Sequence, residues 1–425
     1  MWLQEHRGRR AAVACKLQAH PRAHRPSGFN IANKEKQMKQ RQRCPHHQRF
    51  LVVLSGLSLP TVLAAVLGTS PAAGQPFVYL ANAGSHDISG YSVSLDTGAL
   101  APVPGTPVAA GSHPRAMTVD PAGRFLYAAN QNSNNVSAYS IDGTTGALTS
   151  VPGSPFPAGD SPNSVAVDLS GQFVYVANGS SSNISGYAID ATTGSLTPLP
   201  GSPFPVGSVP ISLVIDPTGR FMYMANLVLK SVSGYTISPE TGALTAIPGS
   251  PFAAGESPVS VAVDPSGRFI YAANAGSNNV SAYNIDDTTG ALTPIVGSPF
   301  PAGLSPQTLT MEPLGQFVYA TRGSFFPLDI WAYSIDAGTG ALTAIAGSPF
   351  GSGTSPGSIG ADPTGQFVYV PSGNGTVSAY IIKRTGALTP VCSSPFPAGS
   401  APTAAVVTPL PKFGPAPSKP QAGYR

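Results

Sequence analysis

The stretch FVYLAN at residues 77–82 returns as FLYAAN at 125–130, FVYVAN at 173–178, FMYMAN at 221–226, FIYAAN at 269–274, FVYATR at 317–322 and FVYVPS at 367–372. Its tyrosines, Tyr79, Tyr127, Tyr175, Tyr223, Tyr271, Tyr319 and Tyr369, stand 48 residues apart five times and then 50 apart. A fixed period of this length marks a repeat architecture in which each unit buries its apolar faces on its neighbours. Runs such as VYVA are covered on both sides in such a stack, so they need not alternate with polar residues.

Four strand-like runs can be laid around the fifth copy. The first covers 259–264 and closes in Asp264-Pro265-Ser266-Gly267, with Asp, Pro and Gly where a type I turn favours them. The second covers 269–274, the third 280–286 after the polar loop at 277–279, and the fourth 291–295 after Thr288-Thr289-Gly290. The chain then leaves through GSPFPAG at 297–303, whose Phe, repeated at 156, 204, 252, 300 and 350, is expected to pack between units. Four short antiparallel strands in each of seven repeats predict an all-β fold, a seven-bladed β-propeller. A helical solenoid is excluded, because Pro and Gly interrupt every window and no unit holds a 3.6-residue period for more than a few residues. The array begins at Phe77 with the second type of strand and ends in APTAAVVTP at 401–409, which matches the first type. A strand from the C-terminus is therefore expected to complete the N-terminal blade and leave the ring without an open edge.

Charged residues are 10% of the chain, against about 25% in ordinary domains, while Gly and Pro number 47 and 45. The recurring Asp at 120, 168, 216, 264 and 362 reads as a turn residue rather than a calcium ligand, and Glu312 as its variant. No His or Cys cluster has metal-ligand spacing, so neither a metal nor another cofactor is expected. The formal charge of +4 comes from the N-terminus, where residues 1–49 hold 12 of the 23 Lys and Arg against Glu5 and Glu35 alone. The remainder is mildly acidic and offers no basic stripe to a phosphate backbone, which argues against a nucleic-acid partner.

Residues 1–49 read as a basic N-terminal extension, with Met38 an alternative start that would give a leader of ordinary proportions. Residues 50–75 hold an apolar run, FLVVLSGLSLPTVLAAVLG, and then small residues, SPAAG at 70–74. Basic, apolar and small-residue regions in that order form a secretory signal, which predicts a secreted, periplasmic or cell-envelope protein. Membrane contact is expected only through this leader, if it is left uncleaved. The propeller is assigned to 76–410 and a Pro-rich disordered tail to 411–425. Cys15 and Cys44 fall in the leader and Cys392 in the body, so no disulfide within the body is expected.

The repeated Y-V-A-N strand, the D-P-x-G turn and the sevenfold count resemble the lactonase-like propellers, the YVTN-repeat and 6-phosphogluconolactonase-like proteins, over about residues 76–410. The resemblance implies Pro-Arg and His-containing segments at the start of inner strands, reaching the mouth of a central channel. Here that position holds His113-Pro114-Arg115 once, while the other copies read SPNS, VPIS, SPVS, SPQT, SPGS and APTA. Residues that break the repeat are the remaining lead, because the fold of the repeat does not account for them. His113, Arg115 and Arg322 are the catalytic candidates, the arginines as forks for a carboxylate or phosphate and His113 as general base. His86, Asp87, Phe325, Phe326, Asp329 and Trp331 are the ligand-binding candidates, and all nine are expected on one face. Two functions follow. The first is an exported binding or scaffolding module that uses its loop-rich face for a small anionic ligand or a protein partner. The second is a lactone hydrolase or cyclase with an anion-binding channel mouth. A monomer is expected.

Overall fold

The computed structural model describes residues 74–322 and 329–410. All lie in the second of the two units into which the chain divides, residues 1–61 and 62–425. The described residues form strands and turns and contain no helix. They build seven antiparallel sheets, numbered here as blades 1 to 7 from the one that contains Phe77–Asn82. Blade 3 is representative, with an inner strand Pro162–Val167, a second strand Phe173–Asn178, a third Asn183–Ile189 and an outer Leu196–Pro198. In blade 5 the four strands fall within a residue or so of the expected limits, the inner one at Pro258–Val263.

Each blade also carries a fifth strand of two residues that the four-run reading omits. Phe204-Pro205 of the GSPF segment pairs with the first half of the third strand, Ile184 opposite Phe204. The Ser-Pro or Thr-Pro bond ahead of it is cis in all seven blades.

The second strand explains why its sequence is apolar throughout. Successive side chains point to opposite faces of a strand, and here both faces meet a neighbouring blade. Phe77 and Tyr79 join blade 2 residues in one core cluster, while Val78 and Leu80 join blade 7 residues in another. The seven clusters each span one junction between adjacent blades. Every tyrosine hydroxyl of the repeat donates across its junction to a glycine carbonyl of the next blade, from Tyr79 to Gly146 at 2.7 Å round to Tyr369 and Gly98 at 3.3 Å. Burial pushes these phenols well above their ordinary range.

Closure is as expected. Pro402–Val407 pairs antiparallel with Phe77–Asn82, Tyr79 opposite Val406, and the Phe77 N–H donates to Thr408 Oγ1 at 2.9 Å. The Asp residues cap their turns, Asp264 Oδ1 accepting the Phe269 N–H at 2.6 Å, and Glu312 accepts the Leu314 and Phe317 N–H groups in the same way. Cys392 is disulfide-bonded. The other two cysteines of the chain, Cys15 and Cys44, lie outside the described residues.

Candidate functional site

A proline opens the inner strand in six blades, at 114, 162, 210, 258, 306 and 402, and Pro356 makes an isolated bridge to Ser372 at the same place in blade 7, ahead of the short inner strand Gly360–Ala361. In those six blades the ladder skips the residue after the proline: Pro162 faces Asn178 and Ser164 faces Ala177, so Asn163 has no partner across the pair. The same β-bulge places Arg115, Ile211, Val259, Gln307 and Thr403. A bulge re-aims its extra side chain, and here these residues line a central channel, with Gly357 completing the ring in blade 7. The channel encloses about 690 Å3, within the range of small-molecule sites. One residue further along, hydroxyls tie the inner strands together, as where Ser260 Oγ accepts the Leu309 N–H at 3.0 Å.

The polar members of the mouth ring differ in how far they are engaged. Asn163 accepts from Gln131 Nε2 at 2.8 Å and donates to the Pro210 carbonyl at 3.2 Å. Thr403 donates to the Pro114 carbonyl at 2.9 Å, and Gln307 to Ser305 Oγ at 3.0 Å. Arg115 is exposed into the channel and makes no hydrogen bond or ion pair among the described residues. Among the described residues it is the one charged residue of the channel lining. The protein around it draws its pKa below the ordinary value through desolvation, but a guanidinium remains protonated in proteins.

His113 precedes Pro114 with φ 59°, the left-handed conformation that Ser161, Ser257, Ser305, Ser355 and Ala401 share at the same place. Its N–H donates to His86 Nδ1 at 3.1 Å. Ser161 and Ser305 donate likewise to Asn134 and Asn278 Oδ1, at 3.0 and 2.7 Å. His86 therefore does in blade 1 what an Asn does elsewhere, joining a loop to the start of the next inner strand. Burial chiefly, then Arg115 and then His86, hold the His113 imidazole below its usual pKa.

Asp87 accepts from Asn82 Nδ2 at 2.7 Å, and the same Nδ2 reaches Ser89 Oγ at 2.9 Å. This clip recurs, as in Asn178 with Asn183 and Ser185. Blade 6 replaces all three members, Arg322 standing for the Asn, Asp329 for the acceptor and Trp331 for the Ser. Arg322 is buried, its Nη1 lies 3.8 Å from Asp329 Oδ2, and its Nε has no hydrogen-bond partner among the described residues. Burial raises the Asp329 pKa, with Arg322 pulling the other way. The Trp331 indole lies where a Cβ on Gly303 would collide with it, and Trp331 packs on the core between blades 5 and 6. None of the three lines the channel. Phe325 and Phe326 lie outside the described residues. The structure thus sets His113 beside Arg115 in blade 2 and Arg322 apart in blade 6.

One part of the channel mouth escapes the sequence reading. Leu227 lines the channel beside Ile211 and Val259, and Val228 and Leu229 after it are 64% and 51% exposed. The signal was available, since blade 4 reads NLVLK where its neighbours read NGSSS and NAGSN. This break is aliphatic, so neither a charge nor an aromatic ring marks it.

Residues 64–159, 153–211 and 210–304, together more than half of the chain, match the family described as lactonase, 7-bladed beta-propeller. No curated protein matches the chain. Among solved structures, the chain is similar to a "putative 6-phosphogluconolactonase" from Bacteroides uniformis, with 20% identity, a TM-score of 0.70 and coverage of 79% of this chain and 100% of that one. It is similar to a periplasmic gluconolactonase of Pseudomonas aeruginosa, with 20% identity, a TM-score of 0.65 and coverage of 79% and 99%. It is also similar to a protein from Lactobacillus plantarum, with 21% identity, a TM-score of 0.63 and coverage of 79% and 99%.

Proposed function

The chain belongs to the lactonase seven-bladed β-propeller family, and from that premise we propose that it is an exported binding module whose channel mouth takes a small organic anion on Arg115. The observation that carries this reading is the state of that guanidinium: exposed to the channel and, among the described residues, unpaired and the one formal charge of the lining. A carboxylate can accept two parallel N–H bonds from it, a geometry that a single lysine would not offer. The charge also selects the ligand. A phosphate monoester carries about −1.5 to −2 at neutral pH, which one guanidinium leaves partly uncompensated, so a carboxylate suits the site better. Export rests on the leader at 50–75, and N-terminal sequencing of the mature protein tests it through the cleavage point.

Lactone hydrolysis is the second reading, supported by family membership and by the neighbourhood of His113 and Arg115. With its pKa held down, His113 is neutral at neutral pH and can take a proton from water as that water attacks a lactone carbonyl. Arg115 would stabilise the oxyanion, and His113 would return the proton to the departing ring oxygen, leaving the hydroxy acid.

Titration calorimetry with butanoate separates the outcomes. Saturable 1:1 binding lost in Arg115→Ala is expected, and binding that survives the substitution refutes the assignment. Turnover of a lactone panel by the wild type, abolished in His113→Ala, would move the protein to the second reading.

A further inference from the structure

We infer that the ligand of this channel is amphipathic, a carboxylate that carries an aliphatic chain, with its head on Arg115 and its chain on the wall of blades 4 and 5. The inference rests on the binding role of Arg115 proposed above and adds the character of the rest of the ligand. It starts from the mouth ring, which is divided by polarity. Thr403, Arg115 and Asn163 are consecutive members, from blades 1, 2 and 3. Ile211 and Val259 follow from blades 4 and 5, two and three blades round the ring from Arg115.

The bulge that aims Arg115 into the channel aims Ile211 and Val259 there as well, so the fold itself makes both surfaces available to one ligand. The apolar arc continues beyond the ring. Leu227 bonds through its N–H to the Val209 carbonyl at 3.2 Å and lines the channel, and Val228 and Leu229, next in the chain, are exposed aliphatic residues. The corresponding loops of blades 1, 2, 3 and 5 are AGSH, QNSN, GSSS and AGSN, so packing of the repeat does not call for aliphatic residues here.

A polyhydroxylated acid would strand its hydroxyls against this arc, since Ile211, Val259 and Leu227 offer no side-chain hydrogen bonds. An aliphatic chain would instead shed water together with the wall. Each methylene buried there is expected to raise affinity about fourfold.

Calorimetric titration of the full chain with acetate, butanoate, hexanoate, octanoate and gluconate tests this. Affinity is expected to climb along the series by about that factor per methylene until the chain outruns the wall. Arg115→Ala should remove binding of every acid. Leu227→Asn and Val259→Ser, each checked for an unchanged melting temperature, should flatten the climb and leave acetate binding as it was. A flat series with gluconate still bound through Arg115 overturns the amphipathic ligand and spares the carboxylate site. Absence of binding by any acid overturns both. Octanoate binding that persists in Arg115→Ala also overturns the inference, because it would mean adsorption to Val228 and Leu229 alone.

Discussion

Arg115 stands on a β-bulge and Arg322 at the end of a second strand, and that difference in place governs what each guanidinium can do. The bulge has no partner across the ladder to hold it, so Arg115 reaches the channel. Arg322 stands opposite Pro306 of the inner strand and is buried, with Asp329 of the third strand 3.8 Å away. Arg322→Ala should leave ligand binding intact and cost about 3 kcal/mol of stability by stranding a buried carboxylate; the low end of the usual range applies because the pair is 3.8 Å apart. Urea unfolding and a hexanoate titration on the same variant check the two halves. His113 supplies a pH test. Its pKa is lowered in the folded chain from 6.5. An unfolded chain therefore binds the proton more readily, and the contribution of His113 to stability, complete above that value, is lost as pH falls through the lower folded one. Carboxylate affinity should move in the opposite sense, rising as His113 gains charge beside Arg115, until the ligand itself is protonated. His113→Ala should remove that rise.

At the scale of the blade, much was legible because each strand repeats with its turn. Seven copies of one aromatic strand and the Asp-Pro turn located the inner and second strands, and the missing first strand at Phe77 announced closure. The two-residue fifth strand was not legible, since a run of that length has no period to detect. The bulge was hidden for a related reason: it is a relation between two strands, and the sequence of one strand carries no register. The roles of His86 and Arg322 stayed obscure because each replaces an Asn whose hydrogen bonds appear only in three dimensions. The repeated tyrosine gives the element its test. Tyr223 hydroxyl donates to the Gly290 carbonyl at 2.8 Å across the junction of blades 4 and 5. Tyr223→Phe should cost about 1 to 2 kcal/mol, since the carbonyl is left buried without its donor, seen as a lower urea midpoint at unchanged slope.

Over the whole molecule, seven junction cores and the pairing of Pro402–Val407 with Phe77–Asn82 hold the inner strands around one channel. A ring of nearly equal blades offers a ligand seven similar approaches, and the departures at Arg115 and at the blade 4 loop single out one. The measurement that bears most directly on this is a crystal structure of the protein with hexanoate bound. A closed seven-bladed ring with one ligand, its carboxylate about 3 Å from the Arg115 guanidinium, is the predicted result. A closed ring whose channel stays empty at saturating ligand, or an Arg115 already paired with a carboxylate of its own chain, would contradict it.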